Sequence, residues 1–479
     1  ATLEIAVGIS FVSVADALKA VSREASGRSL DDVRNDAYDE WARHLDRVET
    51  DGEETVRRLV ASSHYRLLCM PTDLGVDSQN PLWKSGVRQF TDIYTLWDSV
   101  RNANSLLFFL EPDFARDLLN SLIDIGEHTG WIPDAHIACR NAYMQSGGSA
   151  AILFREAALK GVTGVDYARA LALLRKESEE RSPDPMVVGR YNECYNELGY
   201  VSDDAPKSRV SRHIEYAYYD WCIGKLAEHL GEAGIGSEYA ARSERLWNLW
   251  REDLGGFAPR HRDGSWDDGY DPTYLRPDLW NDPYFYESSG ESWSYNTFHS
   301  FPELIERLGG REAFARRLDR FFERDPRALV PKETRMHLPL LYTYAGRPKR
   351  TATVVHRMLT EQYAEARDGL PDNEDMGCQS AFYMLYAAGI YPIMGQDLYI
   401  LTPPLLERTV LPVGGAGRLE ISAPGARPGT FIGGVRLDGS ALDRLWLRHS
   451  EIAEGARLDV ELVGSPSDFG TRNLPPAGS

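Results

Sequence analysis

"SRHIEYAYYDWCIGKLAEHLG", residues 211–231, decides the class of fold. Its apolar residues recur three and four positions apart, which is the period of a helix and not of a strand. The same spacing returns in "SLDDVRNDAYDEWARHLDRV" (29–48), "GREAFARRLDRFFER" (310–324) and "KRTATVVHRMLTEQYAE" (349–365). Between residues 13 and 390 the pattern predicts roughly twelve helical segments of about thirty residues each with their loops, a spacing suited to stacked helical hairpins. No clean repeat relates them. The connections are rich in Gly, Pro and Asp, and the long one at 255–292 reads as a functional surface on a helical scaffold.

The ends differ from the middle. From about residue 398, "DLYILTPPLL", "GRLEISAPG", "GTFIGGVRLDG" and "ARLDVELVG" alternate apolar and polar residues between Gly and Pro turns, as strands do. The tail "SPSDFGTRNLPPAGS" (465–479) reads as frayed. At the other end, "ATLEIAVGISFVS" (1–13) reads as a strand that runs straight into helix, the last strand of a unit whose earlier part is missing.

The chain has 479 residues, 43% of them hydrophobic and 26% charged, which is ordinary for a globular protein with a large core. No apolar run approaches the ~20 residues a membrane helix needs. A net charge of −19 without Lys/Arg clusters argues against nucleic acid as a partner. Five cysteines lie far apart with no ligand-like spacing, so they read as buried, reduced side chains and not as a zinc or redox site. The 11 Trp and 24 Tyr are more telling, because many stand beside Asp, Glu or Asn, as in "TLWDSVRN", "AYYDWC" and "SWSYN". Aromatic faces next to hydrogen-bonding groups suit sugar rings; the same residues also suit core packing.

"DGLPDNEDMG" (368–377) places Asp368, Asp372, Glu374 and Asp375 within ten positions. A solvated turn explains this, with Asn373 capping a following helix and the acids at its positive end. So does a reaction centre.

Several stretches in one order resemble glycoside hydrolase family 92, the calcium-dependent, inverting exo-α-mannosidases. They include "VGISFVSVADA" (7–17), "YTLWDSVRN" (94–102), "GWIPD" (130–134), "ETRMHLPLLYTYAGRP" (333–348), "GLPDNEDMG" (369–377) and "GIYPIMGQDLYILTPPL" (389–405). The resemblance implies a mainly α fold: an (α/α)6 barrel over residues 13–397 and a C-terminal β element over 398–479, with residues 1–12 as the final strand of an N-terminal β-sandwich. A separate chain supplying the rest of that sandwich is then a candidate partner. Relatives are mostly secreted or periplasmic; no signal segment is visible here.

The resemblance also implies roles. Asp375 falls on the water-activating carboxylate, with Glu374 beside it. The family's general acid stands between Trp and Tyr, where this chain has Trp293-Ser294-Tyr295, and a serine hydroxyl cannot protonate a leaving oxygen at neutral pH. Glu291, and after it Glu287, are the acids on the same loop that can replace it. Calcium is expected on Glu333, Asn373 and Asp375, although Lys332 stands where the family has Asn and Met336 where an amide or imidazole is usual. Trp97, Asp98, Arg101, Lys332, Trp293 and His337 form the expected sugar-binding set, with Asp98–Arg101 also readable as a helical ion pair. Asp220 and Trp221 match the family, while His299 reads as structural. Asp372 replaces a family Gly, and Cys378 a usual Gln.

The resulting expectation is hydrolysis of a terminal α-linked mannose or related sugar. The alternatives are a mannosyl-phosphodiester hydrolase that needs no acid and a carbohydrate-binding protein that has lost the chemistry.

Overall fold

The computed structural model describes residues 3–76, 80–143, 147–267, 269–274, 281–325 and 327–478. The decisive stretch forms one helix, Arg209–His229, buried from Val210 to Ala227 on nearly every face. A helix apolar all round belongs inside, and one with a single apolar face belongs outside. Both kinds alternate along this chain. Interior segments are Ala103–Leu110, Ala150–Leu159, Arg209–His229, Gly290–Trp293, Leu341–Tyr344 and Cys378–Ala388. Each follows an outer helix with one buried face: Glu54–Leu67, Pro112–Thr129 and Tyr167–Glu179, then Ala233–Ser243, Gly310–Arg324 and Pro348–Gln362. The last interior helix packs on both Glu54–Leu67 and Ala103–Leu110, which closes the ring. The architecture is an (α/α)6 barrel.

The β element is tied into the barrel and does not begin cleanly at residue 398. Strands already form at Ile390–Pro392, which pairs with Tyr399–Leu401. The larger sheet runs Glu49–Gly52, Leu406–Val413, Gly417–Ser422, Ala456–Val463, Phe431–Leu437, Ser440–Leu442, and only the third and fourth of these are parallel. Its edge strand therefore comes from far upstream, with Glu49 opposite Val410 and its carboxylate 3.1 Å from Arg408. Leu406 and Leu411 meet Val60, Leu385 and Ala388 between sheet and barrel, so the two share one core.

Both termini depart from expectation. The expected tail folds back: Asn473 donates to Asp443 at 2.9 Å, and Gly478 lies against Trp221 and His299. Residues 3–9 pair with no strand among the described residues, and Leu3, Ile5, Val7 and Ile9 are exposed; an apolar alternation without a neighbouring ladder has nothing to make it a strand. The helix Val14–Glu24 does follow, capped by Ser13.

Glu177, on the outer helix Tyr167–Glu179, offers a test of the packing. It accepts the Ile132 N–H at 2.7 Å, its second oxygen is buried without a hydrogen bond, and burial raises its pKa from an ordinary 4.5 to about 8. The folded state then holds a proton that the unfolded chain has lost. The stability this contributes is complete below pH 4.5 and disappears as pH rises through 8. Glu177→Gln removes that titration, so its melting temperature should gain on wild type as pH is raised from 5 to about 9; parallel melting curves at all pH values would refute the assignment.

Candidate active site

The ends of the inner helices explain where the chemistry collects. Asp98 lies in the Leu96–Ser99 turn before one inner helix, Glu287 just before Gly290–Trp293, Lys332 and Glu333 before the Leu338–Tyr344 segment, and Asp372 and Asp375 before Cys378–Ala388. All of them therefore sit at the N-terminal ends of inner segments.

The turn at 372–377 is unlike the one expected. Asn373 does not start the helix, which begins at Cys378 behind three successive left-handed residues: Asp375 (φ 48°), Met376 (φ 58°) and Gly377 (φ 84°). Gly377 is required there, since a Cβ would stand 2.8 Å from Leu67. Two L-residues in that region cost about 1–2 kcal/mol each, a cost that fixed surroundings must offset. Glu374 provides part of the fixing, because its carboxylate accepts from Ser380 N at 3.1 Å and Ser380 Oγ at 3.0 Å. It caps the helix, the task expected of Asn373, and is thereby engaged in holding the turn. Glu287 is also left-handed, at φ 55°.

Lys332 stands among these carboxylates. Its Nζ lies 2.9 Å from Asp372, 3.6 Å from Glu287 and 3.8 Å from Glu333. Glu333 is fully buried, accepts from Gln379 Nε2 at 3.3 Å with one oxygen and makes no hydrogen bond with the other. Burial, with Glu287 and Asp375 adding to it against Lys332, raises its pKa to about 8. Burial likewise raises Asp98 well above the carboxylate range, helped by Glu333, Asp375 and Glu287. Asp375 and Glu287 are raised too, by burial first, with Lys332 opposing in both. Carboxyls packed this closely raise one another's affinity for protons, and the nearby ammonium opposes that rise.

Behind Asp98 is a wall with no free surface. Trp97 is 1% exposed, donates its indole N–H to both Glu215 oxygens at 2.7 Å, and packs edge-on against Tyr286 at 5.2 Å. Arg101 lies over its ring at 4.7 Å and pairs with Glu215 at 2.5 Å, which answers the alternative of a helical pair with Asp98. Trp293 is fully buried and donates to the Tyr286 carbonyl at 2.7 Å. Trp97, Arg101 and Trp293, all buried, thus support the wall behind Asp98 with their polar groups engaged by Glu215 and the Tyr286 carbonyl. His337 is likewise internal: its Nε2 donates to the Tyr295 carbonyl at 3.0 Å, Phe298 lies 4.4 Å away, and burial lowers its pKa to about 3. His299 stacks with Tyr218 and Trp221, and Asp220 is buried between Arg190 and Arg242.

Glu291 requires a correction. It is ion-paired with Arg324 and lies 3.6 Å from Arg317, so its carboxylate is engaged by two guanidiniums outside the Lys332 cluster. Glu287, four residues earlier on the same loop, is the one that joins the cluster. Ser294 donates its hydroxyl to the Gly290 carbonyl at 2.7 Å and accepts from Phe257 N, so it is buried and hydrogen-bonded at the C-terminal end of the Gly290–Trp293 helix. Sequence reasoning missed Glu215, which carries no local signal in its helix, and Tyr94. Tyr94 is 46% exposed, and its phenol is raised by burial and then by Asp375, Asp98 and Glu287, which places an accessible ring beside the cluster.

The family model of the glycosyl hydrolase family 92 catalytic domain matches residues 16–464. The chain belongs to this family. A protein named an uncharacterized secreted glycosidase, from Arthroderma benhamiae, is 27% identical over 514 residues, covering 98% of this chain and 62% of its own length. A family GH92 α-mannosidase of Bacteroides thetaiotaomicron, solved in complex with mannoimidazole, superposes with a TM-score of 0.89 at 21% identity over 97% of this chain and 64% of its own. A family GH92 inverting mannosidase of the same bacterium superposes at 0.87 with 26% identity, over 97% and 67%. The chain thus spans about 62–64% of the first two of these relatives. No described helix is long and apolar enough to cross a membrane.

Of the expected calcium set, Asn373 is exposed and its backbone N–H is turned to Asp372, while Glu333 and Asp375 share their site with the Lys332 ammonium. Among the described residues no three Asp, Glu, His or Cys side chains form a cation cage. A hard divalent ion taking its oxygens here would meet the Lys332 ammonium among the same carboxylates.

The wall can be tested through Glu215. Removing it leaves Arg101 buried without a counter-charge, which typically costs about 3–5 kcal/mol. Glu215→Leu should lower stability by that order in chemical denaturation. A loss below about 1 kcal/mol would show that the pair does not hold the wall.

Proposed function

We propose that this chain hydrolyses terminal α-linked mannose or a closely related sugar with inversion, using Asp375 as base and Glu287 as acid. The observation that carries the reading is that both residues occupy left-handed backbone positions in a single carboxylate cluster around Lys332. Strain of this kind persists where a side chain must be aimed.

The chemistry follows from the two environments. Asp375 is part-exposed, so water can reach it, and its raised pKa makes it a stronger base than a surface Asp. It takes a proton from water as the oxygen attacks the anomeric carbon. Glu287 is 7% exposed and raised by burial, which favours the protonated form. It gives that proton to the glycosidic oxygen as the C–O bond breaks, and the new hydroxyl is left on the opposite face. Asp98, buried beside both, is placed to hydrogen-bond sugar hydroxyls, and Tyr94 offers a face for the ring. Inversion requires the acid and base carboxyls to be roughly 6.5–9.5 Å apart, with water between base and sugar.

One observation favours a second reading. Ser294, at the position resembling the family's acid, is hydrogen-bonded internally. A leaving group that departs without a proton, such as an aryl oxide or a phosphodiester, would then be turned over with little help from Glu287.

Asp375→Asn should reduce turnover of every substrate by about 10²–10⁴-fold while leaving the fold and sugar binding intact. Retained turnover would remove Asp375 from the mechanism. Glu287→Gln should cut hydrolysis of mannobiose by a similar factor yet spare aryl mannosides, whereas Glu291→Gln should keep wild-type turnover on both. The opposite ranking of the two glutamates would transfer the acid role to Glu291.

A further inference from the structure

The two departures from the family pattern noted in the sequence, Lys332 for Asn and Asp372 for Gly, meet in space. Lys332 Nζ is 2.9 Å from Asp372 Oδ2. Asp372 is oriented for this contact, since its other oxygen accepts the Asn373 backbone N–H at 2.9 Å. Without Asp372 the lysine would face only Glu287 and Glu333, and without Lys332 the aspartate would add charge to an already acidic site. Together they bring one cation and its own counter-ion.

The ammonium also occupies the place a metal would need. It lies within 3.8 Å of Glu287, Glu333 and Asp372, and its side chain is only 13% exposed. The buried Glu333 Oε2 atom, which makes no hydrogen bond, faces it at 3.8 Å. A divalent ion bound by Glu333 would have to share that space with a buried positive charge. Like charges at such a separation in a poorly hydrated site exclude one another.

We infer that Lys332, held by Asp372, is the built-in cation of this active site and stands in place of the calcium ion that the family resemblance implies. The inference rests on the active-site position proposed above. It makes the positive charge a fixed part of the chain, independent of calcium supply. A single charge carried on a flexible stem replaces a double charge with several open coordination positions. Sugar hydroxyls are then met by ammonium N–H donors and carboxylate acceptors, with no metal-coordinated oxygens.

The test does not depend on turnover. A ligand that binds the folded state raises the melting temperature by mass action. Wild-type protein should melt at the same temperature in excess EGTA and in millimolar calcium chloride, and calorimetric titration with calcium should show no binding at the cluster. The double variant Lys332→Asn/Asp372→Gly restores the family pattern and should gain a calcium-dependent rise in melting temperature that EGTA reverses. A calcium-dependent shift in wild type would overturn the inference, and so would a folded double variant indifferent to calcium. Should the double variant not fold, the wild-type titration decides alone. Loss of turnover in Asp375→Asn speaks only to the catalytic reading, so the two can fail separately.

Discussion

A largely buried ammonium among buried and half-buried carboxyls is the constraint on which the rest of the site depends. Taking several carboxylates out of water at one place is unfavourable unless some are protonated or a cation is present. Lys332 supplies a cation among them, and raised proton affinity of the carboxyls offsets part of the remaining charge. On the proposed reading, this divided charge state supplies both the acid and the base. It also explains why the segments carrying Asp98, Glu287, Lys332 and Asp372 come from separate inner-helix ends of the barrel. Each segment is short and rigidly anchored by the helix that follows it, and the ring brings their ends together.

Behind the cluster, ion pairs fix the inner surface. Glu215 holds Trp97 and Arg101, and Asp220 is held between Arg190 and Arg242 on the same long inner helix. Buried pairs contribute little net stability over an apolar core of equal volume, but losing one partner is costly. Their value here is positional. The indole of Trp97 cannot rotate while both Glu215 oxygens accept from it, and the Asp98 backbone follows directly from that indole in the chain.

Much of the fold was legible because a strong helical period is a local signal. Residues 29–48, 211–231, 310–324 and 349–365 became the helices Leu30–Leu45, Arg209–His229, Gly310–Arg324 and Pro348–Gln362. The strand Glu49–Gly52 was not legible, since four residues reading E-T-D-G have no alternation and pair only because Leu406–Val413 lies beside them. The site was half legible for the same reason. "NEDMG" announced carboxylates, but Asn373 and Glu374 exchanged the capping task once the backbone turned left-handed at Asp375. Trp97 beside Asp98 reads alike as sugar platform or as wall, and the partner that buries its indole N–H, Glu215, lies far away in sequence. Glu287 and Glu291 share one loop, and the guanidiniums of Arg317 and Arg324 decide which of them is free for chemistry.

The most direct measurement of the central claim is a crystal structure of this chain with mannoimidazole, the ligand of the related Bacteroides enzyme, grown in the presence of calcium. The account predicts the sugar ring beside Tyr94 and hydrogen-bonded to Asp98, with Asp375 and Glu287 on opposite faces of the anomeric centre and the Lys332 ammonium still bound to Asp372. A ligand seated away from these residues, or a metal ion in contact with Glu333 and Lys332 displaced from the cluster, would contradict it.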